Sequence, residues 1–241
     1  MAVSVDTVYQ RVLAISNKEQ RGYITPQEFN LLANQAQMQI FEQYFYDLNQ
    51  FLRAPQNDTE YSNMVTVLEE KISSFEKYKV AMSAMSGNQA TLPTDVYRLG
   101  TVFYGGLGYD VELEKVGKKE LEYMLRTKLT SPVDKRPVYT RKSNTLLKLF
   151  PASPSTSYTT GNVTCNYVAV PAEAYWTYTV VNNKALYNAS ASDLQNFELH
   201  ESEETSLVIK ILELAGVTTK QVDITQFAKS EELQKTQSEK Q

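Results

Sequence analysis

Along this chain the spacing of apolar side chains changes twice, and the changes divide it. Up to about residue 75 they recur every three or four positions, the period of one helix face. From about 79 they alternate in short runs, and at 201 the helical period returns. The first periodic stretch, 4–16, sets Val5, Val8, Tyr9, Val12 and Ile15 on one side of a short helix. The second is the longest. It opens on a capping box, with Thr25 as N-cap, Pro26 at the first helical position, Glu28 three residues on, and a staple between Ile24 and Phe29. Phe29, Leu32, Ala33, Ala36, Ile40, Tyr44, Leu48 and Phe51 continue its apolar face, widened by Phe41, Phe45 and Leu52. A helix over 25–52 is roughly 40 Å long. That is too long to be covered completely by a domain of this size, so its aromatic end is expected to reach a neighbour. The polar link before it makes the first two helices an αα-hairpin. After the break APQNDT, Thr59 caps a third helix carrying Tyr61, Met64, Val65, Leu68, Ile72 and Phe75; its end, SSFEKYKV, also reads as an extended strand.

The middle of the chain reads as strands: RLGTVFY, YDVELEKV, PVYTRK, TLLKLF, VTCNYVAV, YWTYTVV and NFELH. One helix interrupts them near 117–129, with Leu121, Met124, Leu125 and Leu129 on one face. Turns fall at GGLG, SPVDKRP, PASPSTS and VNNK. In the final helix Glu201, Glu203 and Glu204 meet the positive end of the dipole, and Leu207, Val208, Ile211, Leu212 and Ala215 form the buried face. Gly216 is a left-handed stop, with Val217 placed to touch Leu212. Asp223 and Gln226 offer a cap for one more helix bearing Ile224 and Phe227. The tail beyond Ala228 has no sustained apolar face and is expected to be mobile alone.

The expected architecture is therefore α+β. An N-terminal helical part (1–78) contains one long helix, and a mainly antiparallel β-rich part (79–199) contains one inserted helix. A C-terminal helix (200–216) packs back on the helical part, and a flexible extension (217–241) follows.

The 241 residues have room for one large domain or two modest ones, and 42% hydrophobic with 22% charged residues is the composition of an ordinary soluble protein. Net charge is −4, which exerts no global pull toward nucleic acid or anionic membrane. Its distribution is uneven. Residues 115–148 hold ten basic residues against three acidic ones, a local +7, so the remainder carries −11. The segment reads as solvated surface, as a phosphate contact, or as a patch facing the acidic ends of another copy in a head-to-tail contact. Sixteen tyrosines fit the last reading, although strands favour tyrosine too. The single cysteine, Cys165, excludes an internal disulfide and a CxxC site. The N-terminus does not read as a signal peptide and no apolar run is long enough to span a membrane, so a soluble protein of intracellular origin is expected. On that ground the N-x-S/T matches at Asn57, Asn162 and Asn188 are read as chance.

Candidate chemistry is thin. Asn17 to Glu28 has the length of a calcium loop, with Gly22 sixth, Ile24 eighth and Glu28 twelfth. Arg21 stands at the fifth place, where an oxygen ligand belongs, and Glu28 has its own role in the capping box. The one histidine, His200, supplies no imidazole pair for metal or relay and is placed at a helix entrance. Cys165 alternates with Val163 and Tyr167 as a packed strand thiol. YGGLGY lacks the lysine of a P-loop and a following helix, so it reads as a hairpin turn. Glu69–Glu70 and Glu203–Glu204 read as solvated helix faces. No catalytic, cofactor-binding or metal-binding residue is assigned.

Several stretches read together resemble the head-to-tail connector (adaptor, or neck ring) proteins of tailed bacteriophages, especially short-tailed and crAss-like ones. They are VDTVYQRVLAISNKEQRGYITPQEFNLLANQAQMQIFEQYF, LPTDVYRLGTV, KLTSPVDKRPVYT, VTCNYVAVPAEAYWTY and FELHESEETSLVIKILELAG, which together cover most of 3–216. The resemblance implies a non-enzymatic virion component of the neck, made in the host cytoplasm, without a cofactor and without a membrane partner. Its copies would close a homo-oligomeric, dodecameric ring on the portal protein and link it to adjacent neck or tail rings. Viral DNA would pass through without specific binding, which an acidic protein suits. The extension after Gly216 matches by position the part that grips the next ring. The expected partner contacts are the exposed aromatics Phe41, Tyr46 and Phe51, with Phe227 and Leu233 in the tail. The alternatives are another tail or baseplate ring subunit, a nucleic-acid-binding module using 115–148, and a calcium-responsive protein.

Overall fold

The computed structural model describes residues 2–18, 24–53, 64–85, 88–106, 108–152, 154, 157–159, 161–182, 184–218 and 230. In chain order the elements are β1 (Ala2–Val3), α1 (Val5–Lys18), α2 (Pro26–Phe51), α3 (Met64–Ser73), β2 (Glu76–Ala81), β3 (Ser83–Met85), β4 (Gln89–Thr91), β5 (Val96–Tyr104), β6 (Val111–Lys115), α4 (Lys118–Arg126), β7 (Val138–Arg141), β8 (Leu146–Phe150), β9 (Val163–Ala169), β10 (Tyr178–Val181), β11 (Lys184–Tyr187), β12 (Phe197–His200), a 3-10 turn (Glu201–Glu203) and α5 (Glu204–Thr218). The fold is α+β, as the spacing predicts. The chain forms two compact units: Met1–Ser74 with Pro171–Gln241, and Phe75–Val170.

In the first unit α2 is the central rod: α3 and α5 pack on it, α1 packs on α5, and Tyr9 of α1 meets Phe29 of α2 edge to face. The capping box is complete. The Glu28 carboxylate accepts from Thr25 N at 2.9 Å and from Thr25 Oγ1 at 2.8 Å, while Thr25 Oγ1 accepts from Glu28 N at 3.3 Å. Phe29, Ala33, Ala36, Ile40, Tyr44 and Phe45 are buried along one stripe. Phe41 is fully buried too and meets Phe45 edge to face, with centroids 5.2 Å apart. It is therefore not the exposed aromatic that its place off the main stripe suggests: with α3 and α5 both packed on α2, the covered face is wider than one stripe. A buried ion pair ties α3 to the entrance of α5, Lys71 Nζ lying 2.7 Å from Glu203 Oε1 and over the Tyr44 ring. Glu203 is thus not a solvated helix-face residue.

The second unit is one eight-stranded sheet, ordered β2-β9-β5-β6-β7-β8-β4-β3. Its outermost strands, β2 and β3, are consecutive in the chain and separated only by Met82, so the sheet curls until both its ends meet in one segment. Alternate side chains from every part of it (Met82, Ala90, Val102, Tyr104, Leu113, Tyr139, Leu147, Leu149, Val163, Cys165 and Tyr167 among them) fill one interior core. Among the described residues the only parallel pair is β6–β7, joined through α4 as its crossover. There the alternation is visible residue by residue: Tyr139 and Leu149 belong to the interior, whereas Val138 and Phe150 join Val116 and Leu121 in a second cluster beneath α4. Where β2 runs beside β9 its register breaks between Lys77 and Val80, with Lys79 at φ 49 and its amide donating to Asn166 Oδ1 at 2.8 Å. A bulge flanked by exposed lysines protects such an edge from pairing with another chain.

Three boundaries differ from the sequence expectation. The β-rich stretch 79–199 is cut in two: its part up to Val170 lies in the sheet unit, which begins at Phe75, and Pro171 onward belongs to the helical unit. The reason is that alternate residues of this stretch, Ala172, Ala174 and Trp176, give backbone polar groups to side chains of α2. SSFEKYKV divides between the end of α3 and β2, so its strand reading holds from Glu76. Finally, α5 does not stop at Gly216 but continues to Thr218; Leu212 and Ala215 are buried, and tertiary burial outweighs the intrinsic helix cost of one glycine. The Thr59 cap, Tyr61 and the second cap at Asp223 lie outside the described residues, as does the fate of the tail.

Candidate assembly surfaces

On α2 the residues Asn30, Asn34 and Gln37 share one side, and each meets an alternate residue of the extended stretch 172–176. Asn30 accepts from Trp176 N at 2.9 Å and donates to Trp176 O at 3.2 Å. Asn34 does the same for Ala174, at 2.7 and 3.1 Å. Gln37 donates to Ala172 O at 2.7 Å; the Ala172 amide instead donates to Glu198, which leaves Gln37 Oε1 buried without a partner. The match is one of repeats. Four helical residues advance about 6.0 Å, and two extended residues about 6.6 Å. In an extended chain, one residue's N–H and C=O point to the same edge, so one carboxamide satisfies both. The shorter three-residue step to position 37 is offset by the longer glutamine. In the sequence these amides fall on the polar side of the helix, and their i, i+4, i+7 spacing is the signal that marks them.

Trp176, at the end of this row, is buried against Tyr9 with centroids 4.1 Å apart, and its indole N–H donates to Asp6 at 2.9 Å. Tyr178 and Tyr187, a cross-strand pair of β10–β11, stack on the same ring at 5.8 and 5.9 Å. That stack anchors the base of the β10–β11 hairpin. Beyond it, Val180 (66% exposed), Val181 and Leu186 are open to solvent. Among the described residues the two strands pair only with each other.

A groove of about 480 Å³ lies between α2 and α5, lined by Leu32, Gln35, Gln39, Gln43, Lys210 and Glu213 among others. Lys210 and Glu213 pair within α5 at 3.4 Å. Gln39 Oε1 is buried with no hydrogen-bond partner.

The basic residues of 115–148 all lie in the sheet unit and all are exposed. Lys118, Lys119 and Arg126 are on α4, beside exposed Tyr123 and Leu125, and Leu129 (93% exposed) follows that helix. Arg136 pairs with Glu114 at 3.1 Å and Arg141 donates to Asn144 O at 2.9 Å. Charge divides by unit: the helical unit carries 20 acidic against 11 basic residues, −9, and the sheet unit 13 basic against 8 acidic, +5.

Of the expected contact residues, Tyr46 is 70% exposed on α2, Phe51 is half-buried at its end, and Phe41 is buried. Phe227 and Leu233 lie outside the described residues. Glu28 caps α2, and the Thr25 hydrogen bonds hold its carboxyl below the ordinary value. His200 stands at the helix entrance, its Nδ1 accepting from Ser202 N at 3.2 Å. Cys165 is fully buried, and burial pushes its thiol up to about 11. Tyr167, beside it, donates to the Asp95 carboxylate at 2.9 Å and is pushed up to about 12 by burial and by that carboxylate. The turn between β5 and β6 is the hairpin expected of YGGLGY. Among the described residues no group of three or more His, Cys, Asp or Glu side chains is placed to hold a metal ion, and no helix is long and apolar enough to cross a membrane.

What these elements define is an α+β protein of an acidic helical unit and a basic curled-sheet unit. No protein family model matches the chain. No curated protein is significantly similar to it in sequence.

Proposed function

We propose that this chain is a structural ring subunit of the head-to-tail connector of a tailed bacteriophage. It docks on the portal, joins it to the next neck or tail ring, and lines the channel through which DNA passes; it performs no catalysis. The observation that carries this reading is the β10–β11 hairpin, fixed at its base by the Trp176 stack and exposing Val180, Val181 and Leu186 beyond it. A two-stranded arm that exposes apolar side chains along its strands is suited to bridging neighbouring copies. The opposite net charges of the two units, −9 and +5, support contacts between unlike patches, the kind that generates a ring when the rotation closes. A dodecamer is the expected closure.

Native mass of the purified full chain, alone and mixed with the portal, tests the proposal. Ring-sized multiples, either alone or only with the portal, are the expected result. A monomer that ignores the portal overturns it. Placement in a virion reconstruction separates a neck ring from another tail or baseplate ring. A second reading is favoured by one observation, the exposure of all ten cations of 115–148 on the sheet unit: a nucleic-acid contact there. It predicts a salt-dependent shift of short duplex DNA, and no shift at low salt removes it.

A further inference from the structure

The groove between α2 and α5 repeats, on the far side of α2, the arrangement that holds residues 172–176. Gln35, Gln39 and Gln43 stand at i, i+4 and i+8, a single row with a step of about 6 Å. That step lies within about 1 Å of the two-residue repeat of an extended chain. Helical periodicity puts this row roughly opposite Asn30, Asn34 and Gln37, with the buried stripe of Phe29, Ala33 and Ile40 between them. The first row is filled by its own chain. The second lines an open groove of about 480 Å³, where Gln39 Oε1 is buried without a partner.

We infer that this groove binds an extended polypeptide backbone, and that its occupant is the β10–β11 hairpin of a second copy of this chain. The inference rests on the ring reading above and gives it a contact. Among the described residues each strand of the hairpin has its sister on one side only, so its outer edge offers the alternating donors and acceptors that a carboxamide row satisfies. Exposed Val180 on β10 and exposed Leu186 on β11 lie on opposite faces of the hairpin, so each outer edge carries one exposed apolar side chain beside it. Charge agrees: exposed Lys184 begins β11, and exposed Glu42 lines the groove, where Lys210 is already paired with Glu213. The hairpin of the same chain is held at the opposite side of α2, through Trp176 to Asn30 and Tyr9, which makes another copy the donor. Groove and hairpin are different surfaces, so the contact is head-to-tail and extends from copy to copy.

Two variants of the full chain test this: Gln43→Cys in the groove and Lys184→Cys on the hairpin, with native Cys165 fully buried. Mixed and mildly oxidised, they should yield a disulfide-linked dimer in about tenfold excess over either variant alone, the bias of a contact between unlike surfaces. No mixed product, or equal yields in all three samples, overturns the inference. In parallel, the combined Gln35→Ala, Gln39→Ala and Gln43→Ala variant should weaken self-association about tenfold at an unchanged thermal midpoint; an unchanged mass distribution overturns it. A chain that forms rings on the portal yet shows neither effect retains the proposed function and loses this contact.

Discussion

The two units reach stability by different routes. The curled sheet is held by side-chain alternation: β9 buries every second residue, Val163, Cys165, Tyr167 and Ala169, against the interior of one continuous ladder. The helical unit places polar groups inside: Asn30, Gln37 and Glu203 are all buried, and each holds segments distant in sequence. Apolar packing tolerates small errors, because a methylene lost or gained is felt in proportion to its volume. A buried amide or charge does not, because removing one partner leaves the other desolvated. The chain carries its own reporters of the contrast. Its single tryptophan, Trp176, sits in the helical unit, and its single cysteine, Cys165, in the sheet interior.

The largest effect is therefore expected at the ion pair. Breaking a buried pair from one side costs about 3–5 kcal/mol. The Lys71 side chain is 16% exposed, which puts Lys71→Met toward the lower end. Urea denaturation followed by Trp176 emission measures it, and Lys71→Met with Glu203→Leu should recover most of the loss. A single variant as stable as the parent would mean that the pair is solvated. Next comes Asn30→Ala, which strands both backbone groups of Trp176; two groups at the low end of about 1–3 kcal/mol each should cost about 2 kcal/mol. Amide exchange at Ala174 and Trp176 should rise with it. Labelling of Cys165 should stay as slow as in the parent, since that thiol answers to the sheet.

The sheet unit has its own breaking point in the β5–β6 turn. A Cβ at Gly106 would sit on the ring of Tyr104, which is fully buried and edge-on to Tyr158 at 5.0 Å. Gly106→Ala must displace that ring, and overpacking of this kind costs about 1–3 kcal/mol. The expected signature is the reverse of the Asn30 case: faster Cys165 labelling with Trp176 emission unchanged. Equal response of both reporters to either substitution would show that the units unfold as one.

This contrast also explains what was legible in the sequence. The capping box and buried stripe of α2 are local patterns, and so is the alternation of β5 and β9, because each is written within one continuous stretch of chain. β1, β3 and β4 span two or three residues each, too few for a period to register. The amide row was out of reach for another reason. The partner of Asn34 is 140 residues away, and an asparagine on a helix reads as solvated until its partner is known. Phe41 reads as exposed because one stripe cannot say how many helices cover a rod. Of the expected contact residues, only the exposure of Tyr46 was legible; the Gln35–Gln39–Gln43 row and the exposed hairpin became candidates only once Trp176 had been placed.

The smallest effect lies at the one feature that both sequence and geometry make plain, the α2 cap. The Glu28 carboxylate accepts two hydrogen bonds from Thr25, and these lower its pKa below the ordinary 4.5. A carboxyl lowered in the folded state adds stability that is complete above its unfolded value and is lost as pH falls through the folded one. The cap's contribution should therefore be constant at neutral pH and should fade from about pH 4.5 downward. Glu28→Gln keeps the shape but cannot take the charge, so the difference in thermal midpoint between parent and variant should shrink as pH drops through that window. A difference that stays constant from pH 7 to about pH 3 would mean that Glu28 acts through packing, and that the ionised capping box adds nothing to the start of the rod.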